Sequence, residues 1–211
     1  FLLPISFLIA FVLWTLALGW IDVQAIGPNG SVVGFATING LVHDLTGVCM
    51  PIYAITDWLG LVPVFIGFGF AILGLCQWIR RRHILKVDFS ILMLGIFYLL
   101  MLGVYLLFES VVINYRPVLM HGYLEVSYPS STTLLVLSVM PACAEQIRRR
   151  SPSPAVKTAV TILPPAFSGL MVLGRLVSGV HWLTDILGAV LISAGLFHIY
   201  RGLVLMFINR H

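Results

Sequence analysis

Apolar positions along the chain are gathered into long runs that are separated by short polar segments. Six of these runs are long enough to cross a bilayer as helices, which takes about 20 apolar residues. They cover residues 1–20, 52–79, 87–108, 132–147, 155–174 and 182–208. The fourth run is the shortest and contains Pro141. The pattern therefore predicts an all-α, polytopic membrane protein with six transmembrane helices in one bundle.

The stretch between the first two runs has a different character. Residues 27–30, Gly-Pro-Asn-Gly, are a turn signal, and a weakly apolar segment with Asn39, His43 and Asp44 follows them. We expect residues 21–51 to be an interfacial or half-inserted segment between the first two helices. The remaining chain has no room for a soluble domain, so residues 1–211 are interpreted as a single membrane-embedded domain.

Composition supports this class of protein. The chain has 211 residues, of which 60% are hydrophobic and only 9% are charged, and its mean hydropathy is +1.04. Soluble domains are about half apolar and about one quarter charged, so an ordinary cytosolic domain is excluded. The three cysteines form no Cys-x-x-Cys pair. We interpret them as small apolar residues rather than as a disulfide framework or a zinc site.

Basic residues predict the orientation. Ten of the twelve Lys and Arg residues lie in residues 80–86, in residues 148–157 or near the C-terminus. Such clusters mark cytoplasmic loops, which places both termini inside. We therefore expect a multi-pass protein of a bacterial plasma membrane. The topology signals account for the net charge of +4, so no nucleic-acid partner is expected. Membrane lipids are the expected surroundings. The sequence leaves the oligomeric state open.

The two remaining arginines, Arg116 and Arg175, fall at the opposite, external face. Guanidinium groups supply fixed charge and forked donors that suit phosphate oxygens. Ser130, Ser131 and Thr132 open the fourth helix, where free backbone N–H groups and the helix dipole favour an anion. Each of these residues has a simpler interpretation as a helix cap or a lipid contact. Together, on one face, they indicate an oxyanion site.

His181 and Asp185 add a reactive group to this face. The two residues are four positions apart and would share one face of a continuous helix. A carboxylate there can accept from one imidazole nitrogen and leave the other free as a nucleophile or base. Arginines, a helix N-terminus and an oriented histidine together indicate phosphoryl chemistry.

The three segments, residues 109–117, 128–133 and 174–185, resemble the signature of the type 2 phosphatidic acid phosphatase superfamily of membrane lipid phosphatases. That signature is K-x-x-x-x-x-x-R-P, P-S-G-H and S-R-x-x-x-x-x-H-x-x-x-D. This chain carries Arg116-Pro117, Pro129-Ser130, and Arg175, His181 and Asp185 at the matching spacing. The resemblance implies six membrane helices and an external site over nearly the whole chain.

The resemblance also implies roles for these residues. His181 would be the nucleophile that forms a phosphohistidine, and Asp185 would orient it. Arg116, Arg175 and Ser130 would hold the phosphate oxygens, with Ser131 beside them at the helix start. The substrate would be a phosphorylated lipid, and neither a metal nor another cofactor is implied.

Three positions depart from the signature. Thr132 replaces the histidine that serves as general acid, Glu109 replaces a phosphate-binding lysine, and Gly174 replaces a serine. General acid catalysis contributes about two to four orders of magnitude, and a threonine hydroxyl is far too weak an acid to supply it. The loss matters most when the leaving group is an alkoxide and least when it is a phosphate. We therefore expect a preference for lipid diphosphates, such as a polyprenyl diphosphate.

Other groups near the external face offer partial substitutes. Glu109, Glu125 or His121 could supply the proton to the leaving group. A carboxylate at Glu109 would oppose phosphate binding unless it is protonated or paired with Arg116 or Arg175. Thr132 keeps a hydroxyl that can donate a hydrogen bond.

Three functions remain open after this reasoning. The first is a lipid phosphatase at the extracytoplasmic face, which the retention of His181 and Asp185 favours. The second is a catalytically impaired relative that binds or presents a phosphorylated lipid, which the replaced lysine and histidine favour. The third is a transporter of phosphorylated lipid, which is weaker because no inverted repeat or pair of broken helices is visible.

Overall fold

In a computed structural model the chain is described from residue 2 to residue 208; Phe1 and residues 209–211, with Arg210 of the predicted cytoplasmic end, lie outside the described residues. Within that range the regular structure is helical, with three isolated β-bridges. The α-helices are α1 (Leu2–Leu18), α2 (Ala36–Thr46), α3 (Met50–Leu59), α4 (Leu61–Arg81), α5 (Phe89–Ser110), α6 (Ser131–Arg150), α7 (Pro154–Val177) and α8 (Leu183–Ile208). The predicted all-α class is confirmed.

Every predicted apolar run coincides with a helix. Within the described part of the chain, four helical stretches are long and apolar enough to cross a membrane: Met50–Arg81, which joins α3 and α4, Phe89–Ser110, Pro154–Val177 and Leu183–Phe207. Helix α1 is apolar but has 17 residues. These helices indicate a multi-pass membrane protein, and the count of six spans stays a prediction.

Helix α6 is long enough to cross a membrane but is not apolar enough to be recognised as a span, and its position in the bundle explains why. It packs against α4, α5, α7 and α8, and nearly half of its residues are buried. Polar residues such as Ser138 and Gln146 are completely buried within it. A helix that is surrounded by other helices meets little lipid, so it can carry polar residues that face its neighbours. It continues through Pro141 without a break.

The main core lies where α1, α5 and α8 meet. Aromatic side chains dominate it: Phe11 packs edge to face on Phe108 and is stacked on Tyr128, and Phe97 is stacked on Tyr200. The outer surfaces of α4 and α5 expose large apolar side chains such as Phe65 and Leu99. Exposed apolar surface of this extent is what a lipid-facing helix presents.

Residues 21–51 form a turn, at Pro28–Gly30, and the short helix α2. The buried Asn39 ties α2 to the start of α8. Its amide nitrogen donates to Gly34 O at 2.8 Å and to Thr184 Oγ1 at 3.0 Å, while its Oδ1 accepts from Thr184 N at 3.2 Å. This segment therefore covers the end of the bundle at which α8 begins. Its location at a membrane interface stays a prediction.

The basic loops lie at the other end of the bundle. Asp88, just before α5, pairs with Arg81 at 2.9 Å and with Arg150 at 3.3 Å. The buried Gln146 donates to Ser90 O and to the Tyr200 hydroxyl, and it accepts from Arg150. Helix α6 runs from Ser131, at the predicted external face, to this cluster at Arg150, so the two predicted faces are separated by the length of that helix.

Candidate active site

The segment between α5 and α6 folds into an irregular hairpin that carries several site residues. Tyr115 pairs with Val126, and Met120 pairs with Tyr123. The backbone of Ser127 donates to Asn114 O at 2.9 Å. At the end of this hairpin Ser130 N donates to Asp185 O at 3.1 Å. That bond fixes the start of α6 against the start of α8, which brings two of the three signature-like segments together.

The segment at residues 174–185 is itself held by a close backbone approach at Gly179. Gly179 has a φ of +67°, and a Cβ atom there would lie 1.9 Å from Gly47 O. Cys49 N donates to Ser178 O at 3.0 Å beside it. Only glycine fits such an approach in this backbone conformation. The turn between α7 and α8 is thereby fixed against the start of α3, and His181 follows it directly.

The continuous helix on which a shared face of His181 and Asp185 depended is not present. Helix α8 begins at Leu183, and His181 lies in the turn before it. The two side chains still approach each other, with His181 Nδ1 at 3.9 Å from Asp185 Oδ2. That distance is too long for a hydrogen bond. The hydroxyl of Ser127 lies between the two side chains: it is 3.0 Å from His181 Nδ1 and hydrogen-bonded to Asp185 Oδ2.

Asp185 is completely buried and accepts hydrogen bonds on both carboxylate oxygens. Asn114 Nδ2 donates to Oδ1 at 3.0 Å, and the backbone of Trp182 donates to Oδ2 at 2.9 Å. The latter bond is the reciprocal half of a helix-capping arrangement, in which a first-turn carboxylate accepts from the residue that precedes the helix. Asp185 therefore caps α8 and serves the site at the same time.

Arg116 and Arg175, the two arginines predicted to lie at the external face, are both buried beside His181. Arg175, in the last turn of α7, is 1% exposed, and its Nη2 lies 3.3 Å from His181 Nε2. Arg116 is 9% exposed. The guanidinium carbons lie 5.9 Å (Arg116) and 4.7 Å (Arg175) from the centre of the Tyr53 ring. Cation–π contact with a shared ring keeps the two like charges in place.

Each arginine has one carboxylate partner and retains donors without one. Arg116 Nε lies 3.1 Å from Glu125 Oε2, and Arg175 Nη1 lies 3.7 Å from Asp57 Oδ1. Among the described residues, Arg116 Nη1 and Arg175 Nε have no hydrogen-bond partner although both are buried. Buried donors of charged groups are costly to leave unpaired. The arrangement is therefore suited to an anion with several oxygen atoms.

The residues at the start of α6 divide between two cavities. A narrow cavity is lined by His181, Arg116, Ser131 and Glu109. A larger cavity of about 350 Å³ lies between α3, α4, α5 and α6 and is lined by Asp57, Ser131 and Thr132 together with leucine side chains. Tyr105 and Ser131 line both cavities, so the two are adjacent. Ser130 is completely buried, and its hydroxyl donates to Thr133 Oγ1 at 3.0 Å.

The remaining candidate proton donors are placed differently. Glu109 lines the narrow cavity. In residues 2–208 it forms no ion pair, so pairing with Arg116 or Arg175, one of the two conditions that would offset its charge, is not observed. Glu125 forms the ion pair with Arg116 instead. His121 lies at the exposed tip of the hairpin with a φ of +52° and does not line either cavity.

Gly174 has a packing reason. A Cβ atom at this position would lie 2.6 Å from Thr56 Cγ2 on α3. A serine would meet the same methyl group, so the glycine allows α7 to approach α3 closely and brings Asp57 toward Arg175. Sequence reasoning missed four residues of the site: Ser127, Asn114, Tyr53 and Asp57. None of them stands at a position that the signature specifies, and their contacts join distant parts of the chain.

The electrostatics of the site favour a neutral imidazole. Burial lowers the pKa of His181 to about 4, the nearby Asp185 carboxylate partly offsets this, and the positive charges of Arg116 and Arg175 lower it further. A neutral imidazole keeps a lone pair for nucleophilic attack at physiological pH. Within the described part of the chain, no group of three or more His, Cys, Asp or Glu side chains is placed to hold a metal ion.

No family model matches the sequence, and none of the curated proteins compared with it matches either. A solved structure does: a transmembrane PAP2-type phosphatidylglycerolphosphate phosphatase from Bacillus subtilis is similar to this chain with a TM-score of 0.59 and 20% sequence identity, and 96% of each chain is covered. The two chains therefore share a fold over nearly their whole length.

Proposed function

We propose that this chain is an integral membrane phosphatase that hydrolyses lipid phosphates or diphosphates through a phosphohistidine on His181. One observation carries the proposal: a buried imidazole nitrogen, Nε2 of His181, lies 3.3 Å from Arg175, and the donors of Arg175 and Arg116 are incompletely paired. A nucleophile, fixed positive charge and vacant donors at one point are what phosphoryl transfer requires.

The proposed reaction has two steps. In the first, His181 Nε2 attacks phosphorus and the bond between phosphorus and the leaving oxygen breaks. Arg116 and Arg175 donate to the equatorial oxygens, on which negative charge is spread in the transition state. In the second step, water attacks the phosphohistidine, phosphate leaves and the imidazole is regenerated. Asp185 compensates the positive charge that the ring carries while it is phosphorylated.

The larger cavity supports a lipid as the substrate. Its walls include Leu61, Leu102 and Leu135 from three different helices, and its polar end is formed by Ser131 and Thr132. Because Ser131 also lines the cavity at His181, a phosphate group at the arginines would leave its hydrocarbon chain next to these leucines. Burial of each CH₂ group is worth about 0.8 kcal/mol, so the chain would contribute strongly to binding.

The absence of a histidine at Thr132 favours a diphosphate over a phosphate monoester. A departing phosphate needs no proton, whereas a departing alkoxide does. Phosphatidylglycerolphosphate, which the structurally similar Bacillus subtilis protein is named for, is a monoester and belongs in the same test. We propose the extracytoplasmic face for the site, since the basic loops lie at the far end of α6.

One observation favours a binding protein instead. Glu109 lines the narrow cavity with Arg116 and His181, and a carboxylate there opposes the doubly charged phosphate of a transition state. A protein of this second kind would hold or present a phosphorylated lipid without turnover.

The test is phosphate release by the purified protein in detergent. A polyprenyl diphosphate, phosphatidic acid and phosphatidylglycerolphosphate are compared as substrates, for the wild type, His181→Ala and a control, His83→Ala, in the loop at the opposite end. We expect release that is fastest from the diphosphate, lost in His181→Ala and kept in His83→Ala, with a labelled phosphoenzyme trapped by acid-free quenching. Equal rates on all substrates would contradict the preference, and bound lipid without any release would favour the binding protein.

A further inference from the structure

The carboxylate of Asp185 does not hydrogen-bond directly to the histidine that it is expected to orient. Asp185 Oδ2 lies 3.9 Å from His181 Nδ1, while the Trp182 backbone and Asn114 hold the carboxylate from the other sides. The Ser127 hydroxyl occupies the gap, 3.0 Å from Nδ1 and hydrogen-bonded to Oδ2.

The available hydrogens determine the direction of the two hydrogen bonds that Ser127 makes to Asp185 and His181. An ionised carboxylate only accepts, so the single hydrogen of the Ser127 hydroxyl is donated to Asp185. The serine oxygen can then only accept from His181, which requires a hydrogen on Nδ1. A neutral imidazole with its hydrogen on Nδ1 has its lone pair on Nε2, and this nitrogen accepts a hydrogen bond from Arg175 Nη2 at 3.3 Å.

Ser127 is itself held firmly. It is 3% exposed, and its backbone nitrogen donates to Asn114 O at 2.9 Å. The next residue, Tyr128, is buried in the aromatic core, and its hydroxyl lies 2.6 Å from Thr15 Oγ1. A side chain that is anchored on both sides can fix the tautomer of its neighbour rather than adapt to it.

We propose that Ser127 is a positioning residue that connects Asp185 to His181 and, together with Arg175 donating to Nε2, fixes the Nδ1–H tautomer. The Nε2 lone pair can then attack phosphorus when the phosphate oxygens take over the Arg175 donor. No proton moves along the hydrogen bonds from His181 through Ser127 to Asp185 in the first step. The bond from Nε2 to phosphorus forms, the bond from phosphorus to the leaving oxygen breaks, and Nδ1 keeps its hydrogen. Asp185 then compensates the charge of the phosphorylated ring through the serine hydroxyl. The catalytic part of this inference rests on the proposed phosphatase function.

The first measurement does not depend on turnover. In ¹⁵N-histidine-labelled protein in detergent micelles, the ¹⁵N shifts of His181, assigned by comparison with His181→Gln, report which ring nitrogen carries the hydrogen. We expect Nδ1–H in the wild type and a mixture of tautomers in Ser127→Ala, which is smaller than serine and should not disturb packing. Nε2–H in the wild type, or an unchanged spectrum in Ser127→Ala, would overturn the inference.

The second measurement uses a matched pair of variants. Ser127→Thr and Ser127→Val have nearly the same shape and differ in the hydroxyl. A hydrogen bond to a charged group is worth about 10- to 100-fold, so we expect kcat of Ser127→Val to lie that far below kcat of Ser127→Thr, with similar KM. Equal kcat values in the two variants would overturn the positioning role if both fold.

The two proposals can fail separately. If His181 shows the Nδ1–H tautomer and loses it in Ser127→Ala, but no substrate releases phosphate, the serine connection stands and the phosphatase proposal fails. If phosphate is released through His181 while the tautomer does not depend on Ser127, the phosphatase proposal stands and this inference fails. If Ser127→Thr and Ser127→Val both unfold, the comparison of Ser127→Ala with the wild type decides.

Discussion

Nη2 of Arg175 lies 3.3 Å from Nε2 of His181, and both side chains are buried. The guanidinium therefore lies directly beside the imidazole nitrogen that attacks phosphorus in the proposed reaction. The contact depends on the turn at Gly179, whose backbone passes directly against Gly47 and returns the chain toward the end of α7. A cation at this separation lowers the proton affinity of the neutral imidazole and attracts an anion to the same place.

The acid limit of the pH profile follows from this environment. With the pKa of His181 lowered to about 4 from 6.5, the imidazole stays neutral well below pH 6. We expect kcat/KM for a diphosphate substrate to show no loss from protonation of His181 until the pH approaches 4, as measured from pH 4 to 8. A fall centred near pH 6.5 would contradict the burial of the nucleophile.

The same group links stability to pH. The unfolded chain takes up the proton near pH 6.5 and the folded protein only near pH 4, so protonation favours the unfolded state between these values. The contribution of neutral His181 is present above pH 6.5 and is lost as the pH falls toward 4. Thermal unfolding in detergent should therefore show a larger loss of Tm over this interval for the wild type than for His181→Gln.

Restoring a general acid should change substrate preference. Thr132 lines the 350 Å³ cavity, which has room for an imidazole. We expect Thr132→His to raise kcat on phosphatidic acid by about tenfold or more, within the range of general acid catalysis, and to change the rate on a polyprenyl diphosphate much less. Thr132→Asn, which is polar but not acidic, is the matched control. A similar gain in both variants would show that proton donation is not the cause.

Removing the charge of Glu109 should strengthen phosphate binding. Glu109→Gln keeps the shape of a side chain that lines the cavity of His181 and Arg116. We expect KM, and the inhibition constant of inorganic phosphate, to fall about fivefold, which corresponds to roughly 1 kcal/mol for a partly screened charge at this range. Asp44→Asn removes an exposed charge from α2 and should leave both constants unchanged. No difference between the two variants would mean that Glu109 turns away from the phosphate.

The glycine at position 174 should not tolerate the serine of the signature. In Gly174→Ser the new Cβ meets Thr56 Cγ2, and overpacking of this kind costs about 1–3 kcal/mol. We expect a lower Tm that Thr56→Ala largely restores in the double variant. Gly169→Ser, in the same helix but with open space around it, is the control. Additive effects of Gly174→Ser and Thr56→Ala would contradict the contact.

The orientation can be tested by cysteine labelling. Tyr123 and Leu85 are both strongly exposed, the first on the hairpin at the site and the second between α4 and α5. With the three native cysteines replaced by serine, we expect a membrane-impermeant maleimide to label Tyr123→Cys in intact cells and Leu85→Cys only after permeabilisation. Labelling in the reverse order would place the site in the cytoplasm.

Local patterns were sufficient to predict the helices, because an apolar run of membrane-spanning length is a property of consecutive residues. They predicted α6 as a helix but not the burial of its polar residues, which depends on the four helices around it. Nor did residue spacing give the relation of His181 to Asp185, since it assumes a continuous helix and α8 begins between them.

The sequence by itself determined the all-α membrane architecture and singled out Arg116, Arg175, His181 and Asp185, because hydropathy and the rarity of charge in such a chain are readable position by position. Only the tertiary structure decided that Ser127 stands between His181 and Asp185, and that Asp57 and Tyr53 contact Arg175. These contacts join residues more than fifty positions apart, and a hydrogen bond depends on shifts of less than an ångström. Loop geometry and helix packing set positions to that accuracy, and neither is encoded in spacing along the chain.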